Sequence, residues 1–269
     1  MTIDSRNRVA SILNVIFARR VSIRVYGIGA VALGITGLVW GDFAVVWQPA
    51  SNGYSGPTRL GYAVAVLPLL AGLALQWQRA AGFGALALFL PYCLAIMFID
   101  FPRGYAHPSI FGAWYGLFEN LALMAGALII CTYYARLEPV LAERQSKITR
   151  VVFGICLIYF GLAHHFYLAN TVRMVPAWLP PGRAFWVYAT AAAHVAAGIA
   201  IITGICARLA AMLLTAMFIV FTLLVHGPKV LTDPHNHFAW GENAVNLALI
   251  GSAWVIAASI PPALTVRER

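Results

Sequence analysis

Eight apolar segments constrain the fold of this chain more than any other feature of its sequence. Each is roughly 18 to 22 residues long, which lets a helix cross the ~30 Å hydrocarbon core of a bilayer. None alternates apolar and polar residues as the strands of a membrane barrel do, so all eight are predicted to be transmembrane helices. We place them at 25–46, 60–77, 80–99, 115–135, 151–169, 185–204, 208–226 and 241–260.

The overall composition agrees with this prediction. Hydrophobic residues make up 61% of the chain and charged residues only 10%, with a mean hydropathy of +0.80. A soluble domain carries about 25% charged residues. The sequence therefore predicts an all-α integral membrane protein in contact with the lipid bilayer.

The distribution of basic residues predicts the orientation in the membrane. Of the 18 lysines and arginines, 13 fall on the side of the two termini. By the positive-inside rule, both termini are expected in the cytoplasm of a cell with a bacterial-type inner membrane. The net charge of +9 then reflects topology. We expect no nucleic-acid partner, and the lack of a glycine-rich phosphate loop predicts no nucleotide cofactor. The five lysines and arginines on the side opposite the termini are Arg59, Arg103, Arg173, Arg183 and Lys229.

An internal repeat divides the chain in two. The sequence Asn-Leu-Ala-Leu at 120–123 recurs at 246–249, an offset of 126, and the same offset pairs other residues without a gap. We predict two parallel four-helix units related by a pseudo-two-fold axis along the membrane normal. Asn120 and Asn246, being equivalent, are expected to form interhelical hydrogen bonds. The further pairs are Ala71-Gly72 with Ala197-Gly198, Pro102 with Pro228, Pro108 with Pro234, and Trp114 with Trp240. The predicted divisions are an amphipathic cytoplasmic segment at 1–24, repeats at 25–135 and 151–260, a linker at 136–150 and a tail at 261–269.

Candidate functional residues gather in the second repeat, which holds six of the seven histidines. Asp233, His235 and His237 alternate in a polar insert, and Pro234 favours an extended backbone before it, so their side chains are expected to share one side. Glu242 and Asn246, four residues apart, share a helix face. Ionisable residues inside a span are candidates for function because their burial in lipid is costly.

These side chains suit two kinds of ligand. Imidazole and carboxylate bind copper, zinc or iron, and the same groups suit a quinone head group or a proton relay. If the site has none of these functions, the histidines of the polar insert face water, and the histidines inside the spans only link helices. Glu119 has no counterpart at 245; it either lines a second polar pocket or hydrogen-bonds beside Asn120. The predicted metal ligands are His164, His165, His194, His226, Asp233, His235, His237 and Glu242, and the predicted cofactor-binding residues are His164, His165, His194, Glu242 and Asn246.

Three segments carry a family resemblance: Phe160-Gly-Leu-Ala-His164, Met174-Val-Pro-Ala-Trp-Leu-Pro-Pro181 and Val187-Tyr-Ala-Thr-Ala-Ala-Ala-His194. They resemble the DoxX-like family of small four-helix membrane proteins. The resemblance implies two DoxX-like bundles in tandem. It also implies a redox role beside a partner subunit, because members are linked to thiosulfate:quinone oxidoreductases. His194 stands where the family commonly carries a glutamate.

The resulting hypothesis is a membrane redox component whose outer-leaflet site binds a metal ion or quinone and works with a partner redox subunit. The alternatives are a transporter for a small solute or protons, and a non-catalytic structural or assembly subunit of a membrane complex.

Overall fold

The computed structural model describes residues 3–41, with side chains from residue 18 onward, and residues 59–261. Within these ranges the chain is helical and has no strand. Two π-helical segments, Ile96–Asp100 and Thr222–His226, and a 3₁₀ turn, Phe111–Trp114, interrupt the α-helices. The α-helices are α1 (Ile3–Trp40), α2 (Arg59–Ala74), α3 (Ala81–Ala95), α4 (Phe101–Ala106), α5 (Tyr115–Tyr134), α6 (Pro139–Phe166), α7 (Leu168–Met174), α8 (Arg183–Thr203), α9 (Ala207–Phe221), α10 (Gly227–Thr232) and α11 (His237–Ser259).

Six of the described helical segments are long and apolar enough to cross a membrane. Leu86, Leu90 and Leu94 on α3 are each about half exposed, at 47%, 52% and 55%, and lie one turn apart. Such an apolar stripe is stable against lipid. The protein is therefore an all-α, multi-pass membrane protein, which confirms that prediction. The six segments are Ala18–Trp40, Ala81–Ala106, Phe111–Tyr134, Pro139–Phe166, Arg183–Thr203 and Ala207–Thr232; the apolar part of α2, Gly61–Ala74, is shorter.

The long helices form a closed ring. Neighbours around it are α1, α2, α3, α5, α6, α8, α9 and α11, and α11 returns to contact α1. Helix α5 also contacts α11 across the middle. These two helices are the most buried, with side chains packed on both sides.

The helices alternate in direction, so the bundle has two ends. We call the end that holds Arg19, Arg136 and Arg208 the arginine end. The opposite end holds the termini of α6 and α9, with His164 and His226, and we call it the histidine end.

One run of elements in the first half recurs in the second half 126 residues later. Helix α3, its π segment and α4 cover 81–106, and α9, its π segment and α10 cover 207–232, with the same internal boundaries. The indole Nε1 of Trp114 donates to the Pro108 carbonyl at 3.3 Å, and that of Trp240 donates to the Pro234 carbonyl at 2.9 Å.

Two helices are longer than the predicted spans. Helix α1 is continuous from Ile3, so it includes most of the segment predicted as 1–24, and α6 begins at Pro139 within the predicted linker 136–150. The side chains of 1–17, the end of the first predicted span at 42–46 and the tail at 262–269 lie outside the described residues.

Candidate functional site

Two histidines meet inside the second half of the bundle. His164 lies near the end of α6 and His194 on α8, and their ring centroids are 5.0 Å apart. The Nδ1 atom of each ring is 2.8 Å from the backbone carbonyl four residues earlier, that of Phe160 or Thr190. Because a carbonyl only accepts, each Nδ1 carries the hydrogen and donates, which leaves Nε2 of a neutral ring as an acceptor. We call His164 and His194 the histidine pair.

Close packing of α6 and α8 brings the pair together. A Cβ on Gly198 would lie 2.5 Å from the Gly154 carbonyl oxygen, and one on Gly161 would lie 2.7 Å from the Ala191 carbonyl oxygen. Only glycine permits this approach, since a methyl group would meet backbone atoms that cannot move aside. The two histidines therefore face each other across the closest helix contact of this half.

Aromatic rings enclose the pair. His194 is only 2% exposed, and its ring centroid lies 6.3 Å from that of Phe160, 5.6 Å from Phe218 and 6.1 Å from Phe221. His164 is half-buried and lies 6.5 Å from Phe221. The two imidazoles are therefore surrounded by the flat, apolar faces of aromatic side chains.

A second polar group lies on the other side of α9, at the histidine end. Lys229 Nζ donates to Glu242 Oε2 at 3.0 Å, and His226 Nδ1 lies 4.0 Å from the same oxygen. The His226 Nδ1 atom is buried and makes no hydrogen bond to any described residue. The Lys229 ammonium also lies 4.9 Å from the centre of the Phe238 ring. We call His226, Lys229 and Glu242 the rim group.

Asn246 joins α11 to α9 between these two groups. Its Nδ2 donates to the Phe218 carbonyl at 2.8 Å and to Thr222 Oγ1 at 2.7 Å. Helix α9 changes to a π-helix at Thr222, and the Phe218 carbonyl accepts from the Thr222 N–H as well as from Asn246. Asn120 bonds in a related way, with Nδ2 donating to Asp100 Oδ2 at 2.8 Å. Both asparagines thus form the interhelical hydrogen bonds that the sequence predicts.

The remaining predicted site residues lie elsewhere. Asp233 and His235 are exposed, and His237 stacks on Trp40 with ring centroids 4.9 Å apart. His165 is exposed, with its ring against Phe166.

The predicted extended run through Asp233, His235 and His237 is wrong. The Asn236 N–H donates to the Asp233 carbonyl at 3.1 Å, which closes a turn. The Asn236 side chain then caps α11 by accepting from the Ala239 N–H at 3.0 Å. Capping begins the helix at His237, so the three alternate side chains do not project to one side.

The predicted metal ligands are dispersed among these places. In residues 3–41 and 59–261, no three histidine, cysteine, aspartate or glutamate side chains come together so that they could hold a metal ion. The histidine pair offers two nitrogens. In the rim group, Lys229 already occupies the Glu242 oxygen nearest to His226.

The sequence left the role of Glu119 open between a second polar pocket and a hydrogen bond beside Asn120, and it did not indicate Asp100 as a site residue. Asp100 is 2% exposed and Glu119 4% exposed, and Glu119 Oε2 has no hydrogen-bond partner among the described residues. Glu119 lies within electrostatic range of Asp100 and of Glu242, across the contact between α5 and α11. The sequence signal for a special role of Glu119 was that the equivalent residue of the second half, at position 245, is not an acid.

Below the rim group the bundle is tightly packed. Ser252 Oγ on α11 donates to the Ala122 carbonyl on α5 at 2.6 Å, and Tyr26 OH on α1 donates to the Leu123 carbonyl at 2.8 Å. A Cβ on Gly251 would overlap the backbone of Tyr26. Helices α1, α5 and α11 therefore come close enough for their backbones to make contact. This contact lies beneath the polar groups of the histidine end.

The histidine pair lies inside a segment with known relatives. A protein-family model described as DoxX matches residues 147–227, from within α6 to the first residue of α10. The chain therefore carries a DoxX-family domain in its second half, which confirms the resemblance seen in the sequence. No match was found to a curated protein or to a solved structure.

Proposed function

We propose that this protein is a membrane redox component that binds a quinone head group at the histidine pair and passes electrons to a partner subunit. The observation that carries the proposal is the 5.0 Å pairing of His164 with His194 inside aromatic walls. A bound quinol would supply two electrons and two protons.

The pair suits the reduced head group in particular. Both Nδ1 atoms are engaged with backbone carbonyls, so a neutral ring presents Nε2 as an acceptor. A quinol hydroxyl donates a hydrogen bond to such an acceptor, so each ring can hold the head group through its O–H. The rings of Phe218 and Phe221 provide flat apolar contacts for the head group.

The surroundings of the pair favour a ligand that arrives from lipid. His164 and Phe221, whose ring centroids are 6.5 Å apart, are both only half-buried. A lipid-soluble molecule can reach this surface without passing through water. Glu242 lies one helical turn from Asn246 on α11 and supplies an ionisable group at the histidine end.

Two alternatives receive less support. The first alternative is a metal site, but zinc sites use at least three protein ligands as a rule, whereas the histidine pair supplies two nitrogens. A transporter needs a polar path through the membrane, and the contacts of Tyr26, Ser252 and Gly251 close the centre of the bundle below the rim group.

The proposal includes the finer architecture. We infer eight spans in two parallel four-helix units, with α2 and α11 completing the ring formed by the six long apolar segments. The shared offset of 126 between element boundaries supports a duplication. The excess of arginine at one end supports an inner-membrane protein with both termini in the cytoplasm.

Analysis of bound quinone tests the function. Protein purified in mild detergent is extracted with organic solvent, and quinone is measured per mole of protein. We expect near-stoichiometric quinone in the wild type, loss in His194→Leu, and retention in the matched control His165→Leu, whose side chain is exposed. Equal quinone in both variants, or none in the wild type reconstituted with quinone, would reject the proposal.

A further inference from the structure

A cavity at the arginine end lies between the two halves of the bundle. It has a volume of about 270 Å³, and its walls come from α1, α5, α6 and α11. These are the helices through which the two halves touch. The cavity is at the opposite end from the histidine pair and is independent of the proposed function.

The cavity is apolar in its depth and basic at its rim. Ile23, Ile130 and Val255 line it, together with Arg19 and Arg136. No acidic side chain is among its lining residues. Within the described part of the chain, no ion pair engages either arginine, and the nearby Glu143 is bonded to Arg150 at 2.9 Å.

The two guanidinium groups are held differently. The Arg19 guanidinium carbon lies 4.5 Å from the centre of the Tyr133 ring, so the ring fixes the face of the guanidinium and leaves its N–H edge available. Arg136 has a positive φ of 49° directly after α5, where the chain turns towards α6. This turn places its side chain at the rim of the cavity, opposite α1.

From this arrangement we propose that the cavity binds the phosphate of an anionic phospholipid from the leaflet at the arginine end. A planar guanidinium matches a phosphate with two parallel hydrogen bonds. Basic cavities between transmembrane helices suit lipid head groups, and the isoleucine and valine walls match the start of an acyl chain. The bound lipid would join the two halves where α1 and α11 meet α5 and α6.

Native mass spectrometry of delipidated protein tests this proposal. The protein in neutral detergent is titrated with phosphatidylglycerol, phosphatidylcholine, or inorganic phosphate. We expect one phosphatidylglycerol to bind and raise the melting temperature, with at least about tenfold weaker binding of phosphatidylcholine. Inorganic phosphate should bind more weakly still, because it lacks the apolar part. Equal binding of the two lipids, or displacement of phosphatidylglycerol by equimolar phosphate, would overturn the proposal.

Two pairs of substitutions locate the site. The variant Arg19→Gln/Arg136→Asn removes both charges, and asparagine tolerates the positive φ at 136. Its affinity for phosphatidylglycerol should fall about tenfold or more. The control Arg144→Gln/Arg208→Gln removes two charges at the same end, from residues outside the cavity lining, and should bind as the wild type does. Melting without lipid verifies that both variants fold. An equal loss of affinity in the two variants would overturn the assignment.

Discussion

The side chain of Asn246 donates a 2.8 Å hydrogen bond to the carbonyl of Phe218, and the ring of Phe218 packs against His194. Helix α9 is therefore fixed on one side by α11 and supports the histidine pair on the other. The Phe218 carbonyl has two lone pairs, so it accepts the bond from Asn246 in addition to the one from the Thr222 N–H. The position of the pair thus depends on a residue that does not touch it.

We expect Asn246→Ala to destabilise the protein by about 1–3 kcal/mol, because two hydrogen bonds between α9 and α11 are lost, to the Phe218 carbonyl and to the Thr222 hydroxyl. Thermal or denaturant unfolding in detergent measures the change. The matched control is Asn243→Ala on the same helix, since the buried Asn243 Oδ1 has no hydrogen-bond partner among the described residues. Asn243→Ala should cost clearly less, and the reverse order would contradict this role of Asn246.

Gly198→Ala should separate α6 from α8, because its Cβ would lie 2.5 Å from the Gly154 carbonyl oxygen. Overpacking of this kind costs about 1–3 kcal/mol. A cysteine pair placed on facing turns of α6 and α8 reports the separation through its crosslinking yield. Ala192→Leu, on an exposed face of α8, adds more volume and should leave both stability and yield unchanged. A neutral Gly198→Ala would show that the two helices are not in close contact.

The interaction between Lys229 and Glu242 should be measurable by a double-mutant cycle with Lys229→Met and Glu242→Gln. The oxygen and nitrogen are 3.0 Å apart, with side chains 37% and 16% exposed, so we expect a coupling of about 0.5–1 kcal/mol in unfolding free energy. The comparison pair is Arg150 with Glu143, whose glutamate side chain is 59% exposed. Its coupling should be smaller. Equal couplings would mean that partial burial does not strengthen the bond to Glu242.

Glu119→Gln should maintain or raise the melting temperature. The side chain is 4% exposed, one of its oxygens has no partner among the described residues, and Asp100 and Glu242 are within electrostatic range. An ionised carboxylate there is unfavourable, and glutamine keeps the shape without the charge. The exposed Glu143→Gln is the control for removing a negative charge. A marked fall in melting temperature for Glu119→Gln alone would show that its charge is stabilising.

Much of the fold follows from local sequence. Apolar length predicts the membrane helices, and the run from Val175 to Pro181 carries the family resemblance that the match over 147–227 confirms. The offset of 126 found in the sequence also relates the boundaries of α3 and α4 to those of α9 and α10.

The candidate site was less predictable because it depends on helix rotation and on competing local interactions. His164 and His194 are thirty residues apart, and only the close approach of α6 and α8 brings their rings together. The alternation of Asp233, His235 and His237 predicted one face, but the chain turns between Asp233 and Asn236 and then begins a helix at His237. Lys229, thirteen residues from Glu242, was not among the predicted site residues, because nothing in the spacing indicates that they meet.

Titration with a water-soluble short-chain quinol tests the central claim most directly. The wild type, the His164→Leu/His194→Leu variant and the His165→Leu control are reconstituted in nanodiscs, and binding is followed by tryptophan fluorescence. We predict saturable binding by the wild type and the control, and an affinity about five- to tenfold lower when both members of the pair are replaced, as expected for the loss of hydrogen bonds worth about 1–1.5 kcal/mol in total. Unchanged affinity in the double variant would contradict the assignment of the histidine pair as the quinone site.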